Sequence, residues 1–479
     1  MGDAGALKAD EKVSPLVVDL DGTLLRSNLL LERVMAFIRA QPVNLLKALF
    51  WGMQGNGALR HGVAHATSID VSVLPYDRSV IDLISAARAV GRPVVLSAER
   101  NSGAEEIANH LNLFDQVVTR EEGSPCKRDD LVARYGNRGF DYIGNAVEDM
   151  PVWAAARQAF VANSGAGVAR RATAQGNVGG IIHPNRVNIG AWARALRLHQ
   201  WVKNALIFVP LISAHQLTNV SLLGRGLLAF VLFGLCASSV YLLNDLLDLE
   251  DDRHHKSKRN RPFASGELSI KAGLIAFPLL LLVAFSAAIL FLPWQFAAAL
   301  GIYYFLTLSY SLSLKRQMAV DVIALALLYT IRVIAGAAAF QLPLTFWLLA
   351  FSTFMFLSLA LAKRYGELRD AHARGDTEKT RGRDYDTDDL EMISALGAAA
   401  GYQSVIVLAL YVRDPHTMAL YARPEFIWLA CPLLLFWVTR VWMLTHRGQI
   451  HDDPVVFAIS DRVSLIVGVL FCLVFAAAT

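Results

Sequence analysis

The chain has 479 residues, of which 54% are hydrophobic and only 18% charged, and its net charge is +4. With a mean hydropathy of +0.40, that composition excludes an ordinary soluble enzyme and points to several membrane spans. No nucleic-acid-binding motif accompanies the small positive charge. The apolar excess is uneven: residues 1–200 read as soluble α/β sequence and residues 201–479 as membrane sequence. The four cysteines, Cys126, Cys236, Cys431 and Cys472, form no CxxC pair. The last three lie in apolar runs, which predicts buried thiols.

The first residues, Met1 to Ser14, are polar and lack a signal-peptide core, so the N-terminal domain is expected in the cytoplasm. Leu16-Val17-Val18 predicts a strand running into Asp19-Leu20-Asp21-Gly22-Thr23. Residues 28–77 predict a helical cap. Its stretch Leu29 to Met53 is apolar with Arg33, Arg39 and Lys47, and suits either the membrane surface or packing within the cap. Pro93 to Ser97 predicts a strand ending in a hydroxyl, and Tyr142 to Asp149 another ending in acids. Gly165 to Asn188, rich in Gly, Ala and Asn, predicts a linker, bounded here at 166–191.

The strand followed by DxDGT resembles the haloacid dehalogenase (HAD) phosphatase superfamily, over residues 12–165. The resemblance implies a Rossmann-like α/β fold with a helical cap. It makes Asp19 the nucleophile that forms an aspartyl-phosphate and Asp21 the acid/base. Ser97 would bind phosphate, Lys127 would balance charge, and Asp19, Asn145 and Asp149 would hold Mg²⁺. The family usually carries GDxxxD where this chain has Gly144-Asn145 with Asp149. Asn145 still offers an oxygen but removes one negative charge, which leaves weaker metal binding or an inactive domain open.

In the membrane half, nine apolar segments near the spanning length of about 20 residues begin near Trp201, Leu222, Ile270, Trp294, Val320, Leu344, Met392, Pro424 and Val455. Charged connections follow the second, fourth, sixth and eighth. By the positive-inside rule these face the cytoplasm, with the N-terminus inside and the C-terminus outside. A bacterial inner-membrane location is expected. Asn244, Asp245, Asp248 and Asp252 end the second segment at spacings that put them within about 100° of arc on a helix. Three carboxylates and an amide on one face suit Mg²⁺, which bridges to substrate phosphates. Acids at a membrane boundary are functional candidates by default.

NDxxDxxxD at this place resembles the UbiA superfamily of intramembrane prenyltransferases, over residues 192–479. The resemblance implies an all-α polytopic domain in which the motif binds Mg²⁺ and a substrate diphosphate, with Asp245 and Asp248 central to catalysis. Aromatic prenyltransferases of the superfamily carry a second acidic motif after the sixth span; here Lys363-Arg364 stands instead. The basic run with Lys258, Arg259 and Arg261 follows the first motif. Lys203 and Asn204 open the first span, Tyr310 and Lys315 close the fourth, Asp321 opens the fifth, and Arg332 lies mid-helix beyond it. Together these resemble the decaprenyl-phosphate phosphoribosyltransferase branch. That branch moves 5-phosphoribose from phosphoribosyl diphosphate (PRPP) to a polyprenyl phosphate.

The resemblance thus implies a donor phosphate on Lys258, Arg259 and Arg261, and a lipid phosphate on a subset of Lys203, Lys315, Arg332, Lys363 and Arg364. The fused phosphatase would remove the 5-phosphate, toward a lipid-linked pentose donor of the arabinose type for the cell envelope. The rivals are an aromatic or haem-type prenyltransferase and a lipid-binding or transport protein with an inactive HAD domain. Self-association is left open.

Overall fold

A computed structural model describes residues 14–100, 102–120, 126–182, 188–373, 384–414, 421–450 and 453–479. The polar N-terminus through residue 13, residues 183–187 of the expected linker and the basic stretch 374–383 lie outside the described residues. The chain divides into two compact units. One comprises the residues up to Leu196 with Tyr241–Phe277, the other Arg197–Val240 with Pro278–Thr479.

The first unit is built on a six-stranded parallel sheet of β1 (Leu16–Asp19), β2 (Val94–Glu99), β3 (Gln116–Arg120), β4 (Asp141–Gly144), β5 (Ala159–Ala162) and β6 (Val178–Ile182). The order is β3-β2-β1-β4-β5-β6. Runs such as Leu-Val-Val and Ala-Phe-Val-Ala are apolar on both faces, as a sheet covered by helices on both sides requires. Leu16, Val18, Leu96 and Ile143 enter one core. Val17, Val95, Tyr142 and Val161 enter the other, with Trp153. Because the strand order turns around at β1, the carboxyl end of β1 is the topological switch point, where open α/β sheets bind ligands.

Three helices occupy the segment expected as a cap: α1 (Leu29–Ala40), α2 (Asn44–Met53) and α3 (Asn56–Ala66). Asn28 caps α1 by accepting from the Leu31 amide at 3.0 Å. The cap reaches the strand ends through Arg60 of α3, which pairs with Glu99 of β2 at 2.7 Å.

Two expectations change in this unit. Residues 166–182 are not a linker but the helix Ala166–Ala174 and the strand β6, paired with β5. The glycines that suggested a linker are packed: Gly179 and Gly180 lie against the side chains of Gln158 and Phe160. The segment Tyr241–Phe277, expected in the membrane domain, groups with the α/β unit, because α1 binds it through ion pairs described below.

Among the described residues, six helices are long and apolar enough to cross a membrane: Val220–Leu247, Ile270–Phe291, Val320–Phe340, Phe346–Ala373, Thr387–Val412 and Pro424–His446. The pair Pro454–Ser460 and Arg462–Ala478, bent by 79°, would be a seventh. Nine spans were expected. The stretch at Trp201 is a 3₁₀ segment, Leu198–Phe208, followed by a short helix opened by Pro210. The segment at Trp294 does form a helix of 19 residues, but Gln295 and its tyrosines and serines dilute its apolar character. Val320–Phe340 is the most buried of the six; Gly336 lets it close directly onto the Ile207 backbone. Cys236 and Cys431 are buried as expected, whereas Cys126 and Cys472 are exposed. An apolar run on a spanning helix can face outward, where lipid rather than water would meet it.

Candidate functional site

The acidic motif does not lie on one continuous helix. The helix ends at Leu247, and Asp248 (φ −97°, ψ 16°) is a hinge before the helix Leu249–His254. That hinge divides the acids. Asp245 and Asp252 are buried and converge on one guanidinium nitrogen of Arg261, at 3.1 and 2.7 Å. Asp248 faces Arg39 of α1 at 3.3 Å instead. Arg39 also pairs with Asp251 and donates to the Leu247 carbonyl at 3.4 Å. The expected face of three carboxylates is therefore a pair plus one. Among the described residues no three acidic, histidine or cysteine groups gather as a metal would need. The pair itself fits Mg²⁺, which commonly takes one or two carboxylates and completes its shell with water and substrate phosphate. Burial pushes the Asp252 carboxyl up to about 6, Arg261 opposes that, and Asp245 adds to it.

The basic run also divides. Lys258 and Arg259 are exposed, and Arg261 sits on the acids. Arg253 is turned inward: it holds Glu32 of α1 with two nitrogens, at 3.0 and 2.6 Å, and its third bonds the Ala264 carbonyl at 2.9 Å.

In the second unit, a buried carboxylate that sequence reasoning missed organises the cations. Asp453 receives Lys203 at 2.8 Å, Lys363 at 3.3 Å and the Tyr329 hydroxyl at 2.6 Å. It also caps the helix at Pro454 through the Val455 amide. The only sequence signal was an Asp before Pro, which reads as a cap. Arg332 is buried, donating to Asn204 at 3.2 Å and to the Tyr303 hydroxyl at 3.3 Å, with the Tyr303, Phe233 and Tyr329 rings around it. Arg364 does not join this cluster in the same way. It is buried against Asp321 at 2.5 Å, and Asp321 also accepts from Tyr385 at 2.5 Å. Arg364 further pairs with Glu367. Asp321 and Arg364 thus serve each other. Tyr310 and Lys315 are half-buried at the end of Trp294–Leu312 and just beyond it.

In the α/β domain, Asp19 ends β1 opposite Ser97 of β2 in register. Lys127 bridges Asp19 at 2.5 Å and Asp149 at 3.3 Å. Asp149 also accepts from the Tyr142 hydroxyl at 2.9 Å and from the amides of Asn145 and Ala146 at 2.9 and 3.1 Å. Gly22, at φ +75°, leaves the space that the Asn145 side chain fills. Asp21 accepts from the Leu29 amide at 2.7 Å, aimed at the start of the cap. Burial lifts Asp19 to about 7 against the pull of Lys127, with Asp149 adding to the rise; burial also raises Asp21. A carboxylate, a lysine and a second carboxylate at the switch point make a set able to hold a phosphate and a cation. Asp19 and Asp149 are hard oxygens that suit Mg²⁺, and Asn145 adds an amide beside them.

A family model described as the UbiA prenyltransferase family matches residues 205–466. A protein designated y4nM from Sinorhizobium fredii is 34% identical over 468 residues, covering 96% of this chain and 90% of its own. Nodulation protein NoeC of Azorhizobium caulinodans is 35% identical over 287 residues, 59% of this chain and 92% of its own. A decaprenyl-phosphate phosphoribosyltransferase of Mycobacterium tuberculosis is 30% identical over 277 residues, 56% of this chain and 88% of its own.

Proposed function

The chain belongs to the UbiA prenyltransferase family, and within it we propose a phosphoribosyltransferase that moves 5-phosphoribose from PRPP to a polyprenyl phosphate. It is a multi-pass membrane protein; we assign it to the bacterial inner membrane with the α/β domain on the cytoplasmic side. One observation carries the reading. Where a prenyl-diphosphate enzyme of the family would use a second acidic motif, Lys363 shares Asp453 with Lys203. Cations there suit a phosphate held directly rather than through a second metal. The name of the mycobacterial relative, a decaprenyl-phosphate phosphoribosyltransferase, supports the same transferred group and a polyprenyl-phosphate acceptor.

Asp245 and Asp252 would hold Mg²⁺, with Asn244 and Asp248 beside them. Bound there, the ion would supply Lewis-acid neutralisation of the leaving diphosphate. Arg261, which now neutralises both carboxylates, would turn to diphosphate oxygens. Lys258 and Arg259, free of burial, would meet the 5-phosphate, and Lys203 and Lys363 the lipid phosphate. An oxygen of the lipid phosphate bonds to ribose C1 as the C1–O bond to diphosphate breaks. That oxygen is already anionic at neutral pH, so no general base is needed.

The α/β domain, in this reading, is a HAD-type phosphatase. Asp19 would attack the phosphorus of the product's 5-phosphate as its P–O bond to the ribose C5 oxygen breaks and Asp21 protonates that oxygen. Water, giving its proton to Asp21, would then release phosphate and free Asp19, with Lys127 and Ser97 holding the phosphoryl oxygens. Tethering gives it the product at high effective concentration.

The test is a membrane assay of the full chain with labelled PRPP and polyprenyl phosphate, run beside prenyl diphosphate with an aromatic acid. Transfer from PRPP that is lost in Asp245→Asn supports the reading. Turnover of the prenyl pair alone overturns it. For the second activity, Asp19→Asn should accumulate the 5-phosphorylated lipid; equal dephosphorylation in that variant removes the phosphatase.

A further inference from the structure

Helix α2 has its polarity reversed. Its inner side, Asn44, Ala48 and Trp51, recurs at i, i+4 and i+7. Asn44 donates to the Phe37 carbonyl at 2.9 Å, and Trp51 stacks on Phe37 with ring centroids 5.4 Å apart. The outward side carries Leu45, Leu46, Leu49, Phe50 and Met53, exposed by 45, 69, 57, 60 and 87%, with Val43 just ahead at 69%. Lys47 is the single charged residue in the helix. A helix on a water-facing surface shows the opposite arrangement, apolar inward and polar outward. A contiguous apolar face of this kind marks an interaction site.

The neighbouring contacts say what meets it. Arg39, in the last turn of α1, bonds the carbonyl of Leu247 and pairs with Asp248. Leu247 is the final residue of Val220–Leu247, a helix long and apolar enough to cross the membrane. The chain from Arg39 to the start of α2 at Asn44 is five residues. Helix α2 thus starts five positions along the chain from a residue bonded to the end of a helix long and apolar enough to span. A lone lysine among large apolar side chains is the composition that lets a stem lie along lipid while its ammonium reaches headgroups.

We propose that α2 is an interfacial anchor: its outward face lies in the headgroup–acyl boundary of the bilayer that the spanning helices cross. The anchor does not rest on the transferase reading. It holds the cap of the α/β domain at the lipid surface, independently of what either active site turns over.

The test uses the full chain in lipid nanodiscs, with the exposed Cys126 and Cys472 replaced by serine. A single cysteine is introduced as Leu46→Cys or Phe50→Cys and labelled with an environment-sensitive fluorophore. Ser85→Cys, on the exposed side of the helix Arg78–Ala89, is the aqueous reference. All three sites are exposed, so the substitutions leave the core untouched. Labels at 46 and 50 should emit to the blue of the reference. They should lose most of their emission to lipids bearing a spin label high on the acyl chain, and resist aqueous iodide. Iodide quenching equal to that at position 85 would falsify the anchor. A blue shift with neither lipid nor iodide quenching would overturn it too, in favour of a protein surface such as a second copy.

Discussion

Glu32 and Arg253, 221 positions apart, form a two-pronged ion pair with both side chains almost wholly buried. Glu32 also accepts from Ser27, so its carboxylate has no oxygen left without a donor. This pair ties the cap to the segment that carries the acidic motif. Removing one partner strands the other charge away from water, which costs about 3–5 kcal/mol. Glu32→Ala should therefore lower the unfolding midpoint of the purified chain and expose the 241–277 segment to protease. The exchange Glu32→Arg with Arg253→Glu should recover part of the loss. An unchanged midpoint in Glu32→Ala would show that the pair bears no load.

Asp453 holds two lysines at once. Asp453→Ala should destabilise the chain by about 3 kcal/mol, the lower part of the range for a broken buried pair, because Lys363 retains 30% exposure. Thermal unfolding in detergent measures it. Lys203→Met in the same background should restore stability by removing the stranded charge; no restoration would show that the lysine is not the source of the cost.

Asp19 at about 7 gives a proton-linked metal effect. An unfolded aspartate titrates near about 3.9, so the folded chain binds the extra proton between those values. Its stability contribution accordingly falls as pH rises from about 4 to about 7. If Asp19 holds Mg²⁺, metal binding at pH 6 must expel that proton. Calorimetry in buffers of different ionisation enthalpy should find close to one more proton released at pH 6 from the parent chain than from Asp19→Asn. At pH 8.5 the difference should vanish, since Asp19 is already ionised. Equal release at pH 6 contradicts the metal role of Asp19.

Gly336 meets the Ile207 backbone where a Cβ would sit. Gly336→Ala should cost about 1–3 kcal/mol, as overpacking does. Gly468 has open space around it on Arg462–Ala478. Gly468→Ala should instead be neutral or stabilising by up to about 1 kcal/mol, from helix propensity. Comparing the two unfolding midpoints separates the close helix contact from a general effect of alanine.

The strands β1, β2 and β4 were legible because parallel sheets write themselves as short, doubly buried apolar runs. β6 was not, since its Gly179 and Gly180 look like a linker until Phe160 is seen lying across them. The spanning helices were legible wherever apolar length exceeded the bilayer requirement. The stretch at Trp201 was not, because local composition does not report that Pro210 and a 3₁₀ path break it. Asn244, Asp245, Asp248 and Asp252 stood out by spacing, but the division of the three aspartates between Arg261 and Arg39 did not, since it depends on the hinge at Asp248.

By itself the sequence determined the kinds of chemistry available: hard oxygens at one membrane boundary, surplus cations after them, and an aspartate-tipped strand in the soluble half. Those follow from residue identity and local periodicity, which act over a few residues. Only the tertiary structure decided which charges remain for a substrate. Arg253 is consumed by Glu32 and Arg364 by Asp321, across separations of 221 and 43 positions, whereas Lys203 and Lys363, 250 and 90 positions from Asp453, share that single carboxylate and keep a net positive charge between them. A charge's availability is set by the partner that reaches it through space, and pairing over such distances leaves no trace in local pattern.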